Sequence, residues 1–176
     1  MTKSIDFYFD FISPYSYLAY KKIDKLREIN INYKPILLGG LHKLGGITAP
    51  AFNERKMKNM KNDCELVAKK NNIQFKWNAK FPINSLSLMR GYLVVEPKLK
   101  KEYFNNCFEA YWKNNIDISI EKNIKEILKN TNVDEINFFE KISLKEVKED
   151  LKKLTNAAFK NDIFGAPTFV VNDKIF

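Results

Sequence analysis

Near the start of the chain Ile5, Phe7, Phe9 and Phe11 alternate with Asp6, Tyr8 and Asp10, a period of two that predicts a β-strand. Both faces carry bulk, which places the strand inside a sheet. Ile12-Ser13-Pro14 stops it, and Tyr17, Leu18, Ile23 and Leu26 recur at helical spacing among Lys, Asp and Arg. The spacing predicts a helix over 15–29 whose first turn begins about Pro14, where a missing N–H costs no helical bond. Residues 31–38 predict a second strand ended by Gly39-Gly40, so the opening unit is β-α-β.

The middle of the chain reads differently. A Gly-rich loop is expected over 41–48, then a helix over 50–71 with Met57, Met60, Cys64 and Val67 on one side. An irregular stretch over 77–83 precedes a helix over 84–95, for which Asn84 or Ser85 can serve as cap. The next helix, over 98–114, carries Tyr103, Phe104, Cys107, Phe108, Tyr111 and Trp112 at core spacing. Helices over 120–129, 133–141 and 144–161 follow, the last with Ser143 and Glu146 placed as a capping box. Strand pattern returns only at 167–171, followed by the turn Asn172-Asp173 and Lys174-Ile175-Phe176.

Neither terminal strand pair could bury its faces alone. A single α/β sheet built from both chain ends, interrupted by a helical insertion, satisfies both. The expected division is 1–40 with 162–176 and the helix over 144–161 in the sheet domain, and 41–143 in the insertion.

Composition narrows function. With 176 residues, 45% of them hydrophobic, the chain can bury a sizeable core, and no apolar run approaches the roughly 18 residues of a membrane span. The start of the chain shows no apolar signal segment, so a cytoplasmic protein is expected. The net charge of +9 comes almost wholly from lysine, since Arg27, Arg55 and Arg90 are the only arginines. Lysines interleaved with Glu and Asp on helices, without a recognition motif, read as solvated faces and not as a nucleic-acid surface. Cys64 and Cys107 form no C-x-x-C pair and no metal-ligand cluster, and they read as buried hydrophobes.

Two short elements carry chemistry. Ser13, in Asp10-Phe11-Ile12-Ser13-Pro14-Tyr15-Ser16, falls between a central strand and a helix, where free backbone N–H groups favour an anion or a thiolate. It can equally be a plain helix cap. Phe164-Gly165-Ala166-Pro167-Thr168-Phe169 opens a strand with Pro, where a cis peptide would turn the Ala166 N–H and C=O outward to pair with an extended, peptide-like ligand. A trans Pro that simply starts the strand is the alternative.

Taken together, residues 7–19, Leu37-Leu38-Gly39-Gly40-Leu41-His42-Lys43, Phe81-Pro82-Ile83-Asn84-Ser85 with Arg90 beyond it, and residues 164–169 resemble the 2-hydroxychromene-2-carboxylate isomerases, relatives of kappa-class glutathione transferases in the thioredoxin-like superfamily. The resemblance implies a thioredoxin-like fold, glutathione as cofactor with its sulfur beside a catalytic Ser13, and a small aromatic carboxylate as substrate. It implies that Ala166 and Pro167, together with Asn53, hold glutathione, and that Lys43, Asn53 and Asn84 meet the substrate. For Lys43 a solvated surface lysine, and for the two asparagines helix caps, are the plainer readings. Ser13 and Ser16 stand where redox relatives have two cysteines, so disulfide exchange at this turn is excluded. The implied chemistry is addition of the glutathione thiolate to the conjugated carbon of the chromene, rotation, and elimination to trans-o-hydroxybenzylidenepyruvate, with no net redox change. His42, the only histidine, has no counterpart in this pattern and reads as a loop residue.

The same resemblance leads one to expect a homodimer, and a last helix after the final strands that this sequence, ending at Phe176, does not contain. The alternatives to the isomerase are a kappa-class-like glutathione transferase and a degenerate thioredoxin-like binding module.

Overall fold

The computed structural model describes residues 4–23, 25 and 29–176. Strand β1 (Ser4–Phe9) is followed by α1 (Pro14–Ile23) and β2 (Asn30–Pro35). Next come α2 (Leu38–Leu44), α3 (Glu54–Lys70), α4 (Leu86–Val94), α5 (Lys100–Trp112), α6 (Glu121–Lys129), α7 (Glu135–Ser143) and α8 (Lys145–Lys160). Strands β3 (Thr168–Val171) and β4 (Lys174–Ile175) end the chain.

The sheet order is β2-β1-β3-β4, with β1 parallel to β2 and antiparallel to β3. Phe7 lies opposite Phe169, and their rings stack with centroids 5.0 Å apart. That pair joins the two ends of the chain at the centre of the sheet, as the period-two pattern with bulk on both faces requires. The final hairpin turns through Asn172 and Asp173, both at positive φ, a conformation that Asn and Asp adopt more readily than other side chains.

Each face of the sheet has its own apolar layer. On one face Phe7, Phe9, Ile31, Tyr33 and Phe169 pack with α1, α4 and α5, and the helix α5 buries Tyr103, Phe104, Cys107, Phe108, Tyr111 and Trp112 as its spacing predicts. Phe9 touches Phe104, Tyr92 and Phe11 at centroid separations of 4.7, 5.1 and 5.4 Å. On the other face a smaller cluster of Ile36, Leu41, Ala158 and Ile163 receives Tyr8 and Val170. Cys64 and Cys107 are free and buried. Among the described residues, no helix is long and apolar enough to cross a membrane.

Several local expectations change. Leu38, expected in the second strand, Gly39 and Gly40, expected to end it, and residues 41–44 of the expected Gly-rich loop together form α2, so Gly39, Gly40 and His42 are helical. Tertiary contacts outweigh glycine's weak helix propensity there: Leu41 is buried against α8, Thr155 Oγ accepts the Leu37 N–H at 3.0 Å, and Asp10 accepts the Leu38 N–H at 2.9 Å. The capping box does not form. Ser143 closes α7 with its hydroxyl on the Glu140 carbonyl, and Leu144 precedes α8 without a side-chain cap bond. Helix α1 runs to Ile23, and Leu26, expected on its apolar side, lies outside the described residues.

Gly91 marks the tightest helix contact. A Cβ there would overlap the Tyr103 hydroxyl and the Phe138 ring, which are themselves buried and unable to withdraw. Gly91→Ala should therefore destabilise the protein by about 2 kcal/mol or more despite Ala's better helix propensity, lowering the melting temperature by roughly 6 °C. Thermal unfolding followed by circular dichroism checks this; an unchanged midpoint would contradict the packing described.

Candidate active site

The two chemistry-bearing elements meet. Antiparallel pairing of β1 with β3 carries the turn after β1 to the segment before β3, and the Ser13 hydroxyl donates a 2.7 Å hydrogen bond to the Ala166 carbonyl. The same oxygen accepts the Ser16 N–H at 3.1 Å, so Ser13 caps α1 and lies on the cleft at once. The Ala166–Pro167 peptide is cis, and so is Phe81–Pro82, for which the sequence carried no expectation. The cis geometry does not leave both Ala166 groups free, as expected, because Ser13 takes the carbonyl; the Ala166 N–H has no acceptor among the described residues. In the first turn of α1 the Tyr15 N–H is likewise without one.

Around Ser13 opens a cleft of about 780 Å³. Ile12, Tyr15, Ile47, Met60, Phe81 and Ile83 make it apolar, and Phe52 and Phe164, 74% and 67% exposed, stand at its rim. Such a cavity suits a flat apolar body held by a few polar groups. Phe11 is wholly buried in the core and Trp77 packs on Phe81 and Trp112, so Tyr15 and Phe81, not these two, form the aromatic wall. Asn78, buried, holds that wall by donating to the carbonyls of Tyr111 and Ile116 at 3.0 and 3.1 Å.

Asp10 forms the floor, and the sequence reading missed it because it looks like one more polar position of β1. Its carboxylate accepts the Ser85 hydroxyl at 2.7 Å, the Leu38 N–H at 2.9 Å and the Ile12 N–H at 3.2 Å. The backbone carbonyl of Asp10 accepts the Ser13 N–H at 3.0 Å. One buried side chain thus ties the turn before Ser13, the start of α2 and the segment before α4. No cation pairs with it among the described residues. Burial raises its pKa, and the hydrogen bonds from Leu38, Ser85, Ile12 and Phe11 offset only part of that rise.

Of the residues singled out in the sequence, Ser13, Asn84 and Ala166 line the cleft. Ser85 holds the N-cap position of α4 but gives its hydroxyl to Asp10, and Asn84, one residue earlier, accepts the Leu86 N–H at 2.9 Å. Pro167 lies just behind Ala166. Lys43 on α2 and Asn53, which caps α3 by accepting the Lys56 N–H, are exposed and do not line it; His42 does. Ser16 is buried with its hydroxyl unpaired, away from the cleft. Burial pushes the Cys64 thiol up to about 12 and raises that of Cys107, and neither lines the cleft. The cleft thus offers no thiol of its own among the described lining residues. The Ser13 hydroxyl and the N–H groups of Ala166 and Tyr15 form a donor set that suits a peptide-like thiolate.

The profile of one protein family, the DSBA-like thioredoxin domain, matches residues 4–176. The chain belongs to that family. Among DSBA-like thioredoxin domains it is similar over its whole length to a 2-hydroxychromene-2-carboxylate isomerase of Sphingobium xenophagum, with 28% identity covering 92% of that protein. Human glutathione S-transferase kappa 1 is 26% identical over 98% of this chain and 82% of its own. The solved structure of a 2-hydroxychromene-2-carboxylate isomerase superposes with a TM-score of 0.90 at 26% identity, covering 98% of this chain and 87% of the other. The thioredoxin-like sheet with its helical insertion is therefore the fold of this chain.

Asp10→Ala would leave three N–H and O–H donors at the floor without an acceptor. The substitution should cost about 3 kcal/mol or more, and Asp10→Asn, which keeps one acceptor oxygen, should cost less. Urea unfolding of both variants checks the order; equal and small losses would show that Asp10 does not hold the three segments together.

Proposed function

We propose that the protein is a glutathione-dependent isomerase acting on a flat, unsaturated aromatic carboxylic acid of the 2-hydroxychromene-2-carboxylate class. One observation carries this reading: the Ser13 hydroxyl stands at the head of α1, opposite Ala166, in a large apolar cleft that contains no cysteine among its described lining residues. Full-length similarity to isomerases of that name supports it.

When bound, glutathione would supply a nucleophilic thiolate whose reversible addition to a conjugated carbon lets a double bond rotate, with the thiolate returned on elimination. The residues of this chain do the rest. The Ser13 hydroxyl is a single donor now given to Ala166, and rotation about its Cβ–Oγ bond can redirect it to an anionic sulfur. A hydrogen bond to the thiolate, added to the field of the helix N-terminus, lowers a thiol pKa from about 8.5 toward neutrality. The redirected hydroxyl also releases the Ala166 carbonyl, which then accepts a peptide N–H while the Ala166 N–H donates to a peptide carbonyl. Pro167 fixes the direction of that pair. Tyr15 and Phe81 flank the aromatic ring of the substrate, and the Asn84 amide, whose oxygen is spent on the Leu86 N–H, retains its N–H donors for a substrate oxygen.

A second reading, a kappa-class-like transferase that conjugates electrophiles, draws on the similarity to human glutathione S-transferase kappa 1 and would use the same Ser13. The products separate the two, since an isomerase releases glutathione and a transferase retains it in the product. In assays with the chromene carboxylate, Ser13→Ala should lower turnover about 100-fold with the melting temperature little changed. Wild-type turnover retained by the variant would remove Ser13 from the chemistry. Calorimetry with glutathione is the companion measurement: absence of binding would favour a non-enzymatic thioredoxin-like module over both enzymes.

A further inference from the structure

The aromatic-acid reading leaves open which group receives the carboxylate. His42 sits on α2, half-buried, and lines the cleft; its carbonyl accepts the Ile47 N–H at 2.9 Å, while its imidazole has no hydrogen-bond or ion-pair partner among the described residues. No lysine or arginine lines the cleft among the described residues, so His42 is the one lining side chain able to carry positive charge. The other polar groups are committed: Tyr15 donates its hydroxyl to Asp63 at 2.7 Å, Ser13 donates to Ala166, and Ser85 donates to Asp10. Among the cleft's side-chain donors only the Asn84 amide N–H groups remain besides the imidazole, the free Ala166 and Tyr15 N–H groups being those the proposed reaction gives to glutathione. Lys43, one position further along α2, is exposed and adds positive field outside the wall.

We propose that His42 receives the carboxylate of the aromatic acid, donating a ring N–H to it from the α2 wall, and so determines the cleft's preference for anionic over neutral aromatics. This rests on the reading of the cleft as an aromatic-acid site. The imidazole has what the role requires. It is planar and compact, in a cleft that Ile47 and Met60 also line, and burial disfavours its charged form; the neutral ring still donates one N–H without leaving an isolated buried cation. A hydrogen bond from a neutral donor to a carboxylate is of the charge-assisted kind, worth about 10-fold or more in affinity.

The test is calorimetric titration of the full chain with 2-hydroxycinnamate, a stable flat aromatic acid, and with its methyl ester. His42→Phe keeps a planar ring and removes the donor. It should weaken binding of the acid about 10-fold or more while changing the ester by less than about 2-fold. His42→Gln, which restores an N–H donor, should recover part of the affinity for the acid. Equal affinity of wild type and His42→Phe for the acid would overturn the assignment. So would a parallel loss of acid and ester, or a wild type that does not bind the acid. Turnover of the chromene by the wild type is scored separately: a cleft that binds the acid through His42 without isomerising the chromene contradicts the proposed reaction and leaves the assignment standing.

Discussion

Residues 13 and 166, separated by 153 positions, share a hydrogen bond because Phe7 on β1 stacks on Phe169 of β3, and the cleft exists only where that pairing brings the two chain ends together. The geometry follows in order. A central strand rich in phenylalanine is covered by α1 and α5, its antiparallel neighbour arrives from the far end of the chain, and the turns at one end of the two strands face each other. Packing of aromatic rings against the sheet supplies the driving force. The hydrogen bond itself contributes little to stability beside that burial, and its value lies in direction: one hydroxyl, capping a helix, held against one carbonyl.

Asp10 gives the arrangement its rigidity. A carboxylate taken out of water without a cation is costly unless donors surround it, and here a hydroxyl and two peptide N–H groups from three segments do so. Strength and fragility come together in such a group. While all its partners are present it fixes the spacing of α2, α4 and the turn at Ser13; removal of any one leaves a buried polar atom exposed to the full desolvation penalty.

Most of the architecture was legible in the chain. Alternation at residues 5–11 and the apolar strand at 167–171 identify the sheet, and the helical spacing of Tyr103, Phe104, Cys107, Phe108, Tyr111 and Trp112 identifies the helix behind it, because these signals report burial directly. The site was legible where a short motif has a local meaning, as at Ser13 and Ala166. It was not legible where the decisive partner is remote. Asp10 resembles any polar residue of a strand until Leu38 and Ser85 are placed beside it. Gly39 and Gly40 argue for the end of a strand, with a loop after it, until packing of Leu41 on α8 favours helix, and with that helix His42 comes to the cleft wall while Lys43 stays exposed. Adjacent residues on a helix point about 100° apart, which no reading of single positions could assign.

In the proposed reaction the chain's own cysteines are inert and the reactive sulfur is that of a bound thiol held by Ser13. That thiol's ionisation is the central quantity. It is measured by titrating the ultraviolet absorbance of the thiolate of glutathione bound to the wild type and to Ser13→Ala. The account predicts a bound thiol that ionises near neutrality in the wild type and returns toward about 8.5 in the variant. A bound thiol that titrates at its free value in the wild type, or identically in both proteins, would contradict it.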